Sequence, residues 1–148
     1  MPDYAGAVAA IKQRVADNWS TTPVGWAGGP APATTSNGAL APWVLGEVIN
    51  TSSGLRAAGT PGSNVWLYEG LIYLHVFVPT QETTSAALAL QHAVALGEIF
   101  RAKAFYNATP GYMVRTWSPK HDGGGKGDDE GLWFRVTTTI PFQYYHLG

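Results

Sequence analysis

A long hydrophobic stretch, Val65 to Pro79, is followed almost at once by a helical pattern. Its side chains alternate between two faces, which is typical of a β-strand rich in β-branched and aromatic residues. One face is apolar throughout: Trp66, Tyr68, Ile72, Leu74, Val76 and Val78. The other face is only partly polar, which predicts a central strand covered on both sides. Pro79 has no amide hydrogen and ends the strand.

The residues after Pro79 predict an amphipathic helix over 86–104, where Ala and Leu are frequent and proline is absent. Its N-cap candidates are Thr83, Thr84 and Ser85, and Glu82 suits the positive end of the helix dipole. One stripe of small and apolar residues predicts packing on the sheet: Ala86, Ala89, Leu90, Ala93, Gly97, Phe100 and Ala104. A second apolar stripe lies on roughly the opposite side: Leu88, His92, Ala95, Leu96 and Ile99. It predicts a subunit contact, the alternative being a helix sandwiched inside its own domain.

The remaining segments complete a single predicted domain over 1–148. A helix over 3–19 is capped by Asp3, and a Pro- and Gly-rich arm over 20–42 is anchored by Val24 and Trp26. Further strands are predicted at 43–49, 112–118 and 132–142, with loops at 50–64 and 119–131. Strand 43–50 is expected to pair antiparallel with 65–78. The predicted fold class is α+β: a mostly antiparallel (mixed) sheet of about four strands packed with two helices, in the order α-β-β-α-β-β.

Composition limits the kinds of function. Nine basic and ten acidic residues give a net charge of −1, which does not favour a nucleic-acid interface. Six Trp and seven Tyr favour contact surfaces. No cysteine is available for disulfides or thiolate metal sites. Charged residues near the start argue against a signal peptide and no apolar run is long enough to span a membrane, so we expect a soluble, intracellular chain.

The candidate chemical motifs are weak. The glycine-rich segment Gly123–Asp129 lacks the spacing of a phosphate-binding loop, and its acids lack that of a calcium loop. The four histidines show no metal-ligand spacing. Glu47 and Glu69 could face each other across neighbouring strands, but a lone carboxylate pair is a poor basis for predicting a glycosidase. We therefore expect a non-enzyme without cofactor or metal.

Four short segments together resemble the tail terminator (tail completion) proteins of long-tailed bacteriophages. They are Pro23-Val-Gly-Trp26, Pro42-Trp-Val44, Val76-Phe-Val-Pro-Thr80 and Trp133-Phe-Arg-Val-Thr-Thr-Thr-Ile-Pro-Phe142. The resemblance implies a ring, by analogy a hexamer, that caps the head-proximal end of the tail tube, stops tube polymerisation and enables head–tail joining. The implied partners are further copies of the chain, the tail tube protein and the head–tail connector, and the implied location is the virion tail, assembled in the host cytoplasm.

Within that resemblance, the 119–131 loop is expected to reach the ring lumen or the adjoining tube. The residues concerned are Lys120, His121, Asp122, Lys126, Asp128, Asp129 and Glu130. Acidic side chains there would repel DNA passing through the ring, which is not bound specifically. The alternative for the loop is a solvated segment without function. The alternatives for the whole protein are another ring-forming neck or tail-tube component and a carbohydrate-binding module. Two sheet-packed helices argue against that last alternative.

Overall fold

A computed structural model describes residues 2–80 and 84–148. Within these ranges the chain forms two helices and ten strands. The longer elements are α1 (Tyr4–Asn18), β4 (Trp43–Ala57), β5 (Val65–Pro79), α2 (Ser85–Phe100), β7 (Met113–Thr116) and β10 (Trp133–Leu147). The short strands are β1 (Val24–Trp26), β2 (Thr35–Ser36), β3 (Ala39–Leu40), β6 (Ala104–Phe105), β8 (Lys120–His121) and β9 (Gly125–Lys126).

The predicted sheet of about four strands, in the order α-β-β-α-β-β, is wrong. The described residues form a mixed eight-stranded sheet, with the order β1-β4-β5-β10-β7-β6 and with β8 and β9 also paired to β10. β1 is parallel to β4 and the other pairings are antiparallel, while β2 and β3 form a separate two-stranded sheet. The additional strands are two or three residues long, so they carry no periodic pattern. β1, β6, β8 and β9 form where a longer strand offers its backbone as a partner, and β2 and β3 pair with each other.

Three 15-residue strands, β4, β5 and β10, form the centre of the sheet. The predicted antiparallel pairing of β4 with β5 is confirmed, but β4 continues through most of the expected 50–64 loop to Ala57. Its outer part is polar and glycine-containing and is interrupted by two register shifts, at Thr51 and Arg56. The connection between the two strands therefore shrinks to residues 58–64.

Both helices pack on one face of the sheet. The apolar face of β5 is fully buried at Ile72, Leu74 and Val76, and the matching residues of β10 join the same core. The sheet-facing stripe of α2 is confirmed at four of its residues, Ala89, Ala93, Gly97 and Phe100. Because alanine and glycine carry small side chains, α2 lies close enough for the hydroxyl of Thr138 to donate to the Ala93 carbonyl at 3.1 Å.

The N-terminal predictions hold in outline. The Asp3 carboxylate caps α1 by accepting from the Gly6 amide at 2.7 Å. Val24 and Trp26 pack against the core as predicted, in β1 rather than in an irregular arm. Gly46 of β4 allows this, because an added Cβ at that position would overlap the Trp26 ring.

The start of α2 is only partly described. Thr84 occupies the N-cap position without a side-chain cap hydrogen bond, and the Ser85 hydroxyl donates to the Pro79 carbonyl. The roles predicted for Glu82 and Thr83 lie outside the described residues. Over the described part of the chain, neither helix combines the length and apolar character needed to cross a membrane.

Candidate subunit interface

The outer face of α2 is an exposed apolar surface on a helix whose other face is in the core. Leu90 is 45% exposed and Val94 is 40% exposed. They line an open depression of about 500 Å³, together with Ala87, Gln91 and Ala95. Large apolar side chains that remain this exposed side by side are typical of a surface that contacts a partner.

The predicted subunit-contact stripe lies mostly elsewhere on the helix. Leu96 is completely buried in the core, and Leu88 and Ile99 are partly buried against it. Of the five residues in that stripe, Ala95 alone lines the depression. Leu90 and Val94 lie outside the predicted contact stripe, although their four-residue spacing is visible in the sequence. The prediction that Leu90 faces the sheet is wrong, since it is 45% exposed.

Helix α1 covers the side of α2 that carries the rest of the predicted stripe. The guanidinium Nε of Arg14 donates to the Ile99 carbonyl at 2.8 Å, and the Trp19 ring meets the His92 ring edge-on with centroids 5.6 Å apart. Burial there lowers the pKa of His92 below its ordinary value, because the charged imidazolium is poorly solvated. Because α1 and Trp19 cover His92 and Ile99 within the same chain, the burial of these two residues requires no second subunit.

A second exposed apolar surface lies on the outer part of the β4–β5 hairpin. Leu55 is 53% exposed and Trp66 is 36% exposed, and they are direct cross-strand partners. The indole Nε1 of Trp66 donates to the carbonyl of Gly148 at 3.1 Å, which fixes the ring on the sheet. This surface cannot be recognised from the sequence, which predicts a loop over 50–64, because it depends on the pairing of β4 with β5.

The 119–131 segment runs along β10 instead of standing free. His121 and Lys120 pair with Thr138 and Thr139 of β10, and further along Lys126 and Gly125 pair with Phe134 and Arg135. The His121 ring is also hydrogen-bonded to the Thr138 hydroxyl at 2.9 Å. This pairing covers the edge of β10 that β7 leaves open.

The acidic residues of that segment do not converge. The Asp122 carboxylate accepts from the amides of Gly124 and Thr137, and the Asp128 carboxylate accepts from the Trp133 amide at 3.2 Å. The exposed charged residues of the segment are Lys120, Asp122, Lys126, Asp129 and Glu130. In the described parts of the chain, no three His, Cys, Asp or Glu side chains lie together in a way that could hold a metal ion.

The other face of the sheet, away from the helices, carries a hydrogen-bonded chain across three strands. The His75 imidazole contacts the Glu47 carboxylate at 2.7 Å through Nε2 and the Thr137 hydroxyl at 2.8 Å through Nδ1. Glu69 lies opposite Ser52, far along the hairpin from Glu47, so the two carboxylates considered as a pair do not face each other.

This carboxylate–imidazole–hydroxyl order is also found in hydrolases, where backbone amides next to the hydroxyl stabilise an oxyanion. The backbone amide of Thr137 already donates to Asp122. The amides of a strand in the middle of a sheet are likewise used by its neighbours. We interpret the hydrogen bonds between Glu47, His75 and Thr137 as a polar link that holds β4, β5 and β10 in register.

Comparison with known proteins identifies the fold but no function. No protein-family model matches the chain, and no curated protein matches it. Thirteen chains of solved structures match. One of them has a TM-score of 0.67 and 18% sequence identity over 100% of this chain and 99% of its own length. The arrangement of helices and strands is therefore shared with a protein of the same size.

Proposed function

We propose that this protein is a virion component that forms a ring on the head-proximal end of a bacteriophage tail tube and stops the tube from growing. The observation that carries the proposal is the outer face of α2, where Leu90 and Val94 remain exposed beside a depression of about 500 Å³. The sequence resemblance to tail terminators supplies the class of assembly.

A ring requires two different surfaces on each subunit, because each copy must contact its two neighbours through unlike patches that close by rotation. The chain offers two unlike apolar patches, one on α2 and one on the hairpin at Leu55 and Trp66. Burying exposed apolar side chains stabilises the assembly by about 25 cal/mol per Å² removed from water. By analogy with the tail terminators we take the ring to be a hexamer.

Capping is a binding event and needs no catalytic group. A ring seated on the last ring of tail tube protein occupies the site where the next one would add, and its opposite face remains for the head–tail connector. Asp129 and Glu130 are exposed, and if they face the passage they repel the DNA phosphates. The virion tail, assembled in the host cytoplasm, is the corresponding location.

A tail-tube component is the second candidate, because the outer edge of β4 is open. Beyond Gly46, the described residues give β4 a neighbouring strand on one side only, β5. An open edge can add a strand from another subunit and so build a stacked tube.

Light scattering and negative-stain microscopy of the purified protein test the proposal and separate the two candidates. A terminator should give discrete rings with about six times the 15.8 kDa mass of one chain, alone or when tail tubes are added. A tube component should grow into open tubes with rising concentration. A monomer at high concentration that also leaves tail tubes bare would refute both.

A further inference from the structure

We propose that Leu55 and Trp66 of one copy pack into the α2 depression of the next copy. This assignment rests on the proposed ring and names the contact that builds it. The occupant of the depression is thus a second copy of the chain, bound head to tail.

The two patches are too far apart to meet within one chain. The carbonyl of Ala93, in the middle of α2, accepts a hydrogen bond from the hydroxyl of Thr138, and Thr138 of β10 pairs with Leu74 of β5. Trp66 lies eight residues before Leu74 on the same strand, a separation of about 26 Å at roughly 3.3 Å per residue. A patch at one end of the sheet and a depression near the other can therefore be joined only between copies.

The shapes and the chemistry of the two surfaces agree. The depression is open and is lined by Ala87, Leu90, Gln91, Val94 and Ala95 of α2, so an aromatic ring and a branched aliphatic side chain can lie against Leu90 and Val94 over the small alanines. The Trp66 ring is held in place by its hydrogen bond to Gly148, so little side-chain freedom is lost when it binds.

The charges also agree. Residues 50–64 of the hairpin contain a single charged residue, Arg56, next to Leu55. Helix α2 contains a single charged residue, Glu98, one turn beyond Val94. Glu98 accepts from Arg101 at 2.9 Å and its carboxylate has capacity for a further donor.

A symmetric contact of α2 with α2 is less favourable. It would bring together two Glu98–Arg101 ion pairs, which offer no opposite charge to each other, and would leave Leu55 and Trp66 in water. The head-to-tail arrangement instead brings Arg56 to the remaining acceptor capacity of Glu98 and covers both apolar patches at once.

The chain contains no cysteine, so introduced cysteines report the contact without background. The variants are Leu55→Cys, Val94→Cys and the double variant, oxidised in dilute solution or treated with a short bismaleimide that tolerates a longer separation. We expect the double variant to give a ladder of covalent multimers on a non-reducing gel, while each single variant stays monomeric. The matched control pairs Leu55→Cys with Ala16→Cys, an exposed position on α1, and should give no ladder.

The outcomes separate this inference from the proposed function. A covalent dimer from Val94→Cys alone would show a symmetric α2 contact, and one from Leu55→Cys alone would show contact between hairpins; either overturns the inference. Rings that form normally while neither reagent links the double variant also overturn it and leave the proposed function standing. Wild-type protein that forms no ring, alone or on tail tubes, overturns the proposed function itself.

Discussion

Two leucines on the same helix provide a matched test of which face of α2 serves the fold and which serves assembly. Leu96 is fully buried in the core, whereas Leu90 is 45% exposed. Replacing a buried leucine by alanine leaves a cavity and costs about 2–5 kcal/mol in the free energy of unfolding. For Leu90→Ala we expect less than about 1 kcal/mol, since much of the side chain already contacts water.

The same two substitutions should have the opposite order of effect on assembly. Loss of the Leu90 side chain from a subunit contact should weaken that contact by about 1–2 kcal/mol, roughly a tenfold change in its dissociation constant. The proposed ring would contain several such contacts, so its formation should shift to much higher concentration. Leu96→Ala should assemble at nearly wild-type concentration as long as the monomer remains folded.

Urea denaturation of dilute, monomeric protein measures the first effect, and light scattering over a concentration series measures the second. In thermal unfolding of the same dilute protein, the Leu96→Ala melting temperature should fall by roughly 5–15 °C for a domain of this size. Equal losses of stability in the two variants, or unchanged assembly of Leu90→Ala, would refute our assignment of the two faces.

Two further substitutions test local features. Gly46→Ala should reduce the free energy of unfolding by about 1–3 kcal/mol and increase proteolysis of the 20–42 arm, because the new methyl group displaces the Trp26 ring. The control Gly54→Ala, in open space on the same strand, should change the free energy of unfolding by less than about 0.5 kcal/mol. Equal losses of stability in the two variants would contradict the packing of Trp26 on Gly46. The pKa of His92 in the folded protein lies below its ordinary value of 6.5, so the unfolded chain binds more protons as the pH drops below about 6.5, and the free energy of unfolding should fall there. His92→Asn should reduce this pH dependence, measured as urea midpoints between about pH 7.5 and about pH 5. An unchanged dependence would exclude His92 as its source.

The long elements were predictable from the sequence because their patterns extend over many residues. The alternation in Val65–Pro79 continues for seven periods, and the helix before Trp19 has both an apolar stripe and a capping aspartate. By contrast, β8 and β9 contain two residues each and form only where β10 presents its edge. Secondary structure that depends on a distant partner leaves no local signal.

The outer half of β4 shows the same limitation. Residues 50–57 are polar, small and glycine-containing, which locally favours a loop. They form a strand because β5 continues opposite them and supplies a backbone ladder. The Leu55–Trp66 patch follows from this pairing and could not be recognised without it.

The exposed apolar face of α2 was difficult to predict for a different reason. Alanine occupies nearly every side of the helix, so a helical wheel does not show which of the apolar side chains outside the sheet-facing stripe remain exposed. Which side chains remain exposed depends on α1 and Trp19 after it, which cover the side of His92 and Ile99 and leave Leu90 and Val94 exposed. A contact between two helices distant in sequence is a tertiary property.

Under the proposed function, the gene for this chain lies in a phage or prophage, and its deletion there is the decisive test of tail capping. Removing the chain should give tails of uncontrolled length without attached heads, and supplying it in trans should restore tails of uniform length with a ring at the head-proximal end. Normal tail lengths and normal head attachment in its absence would contradict the claim.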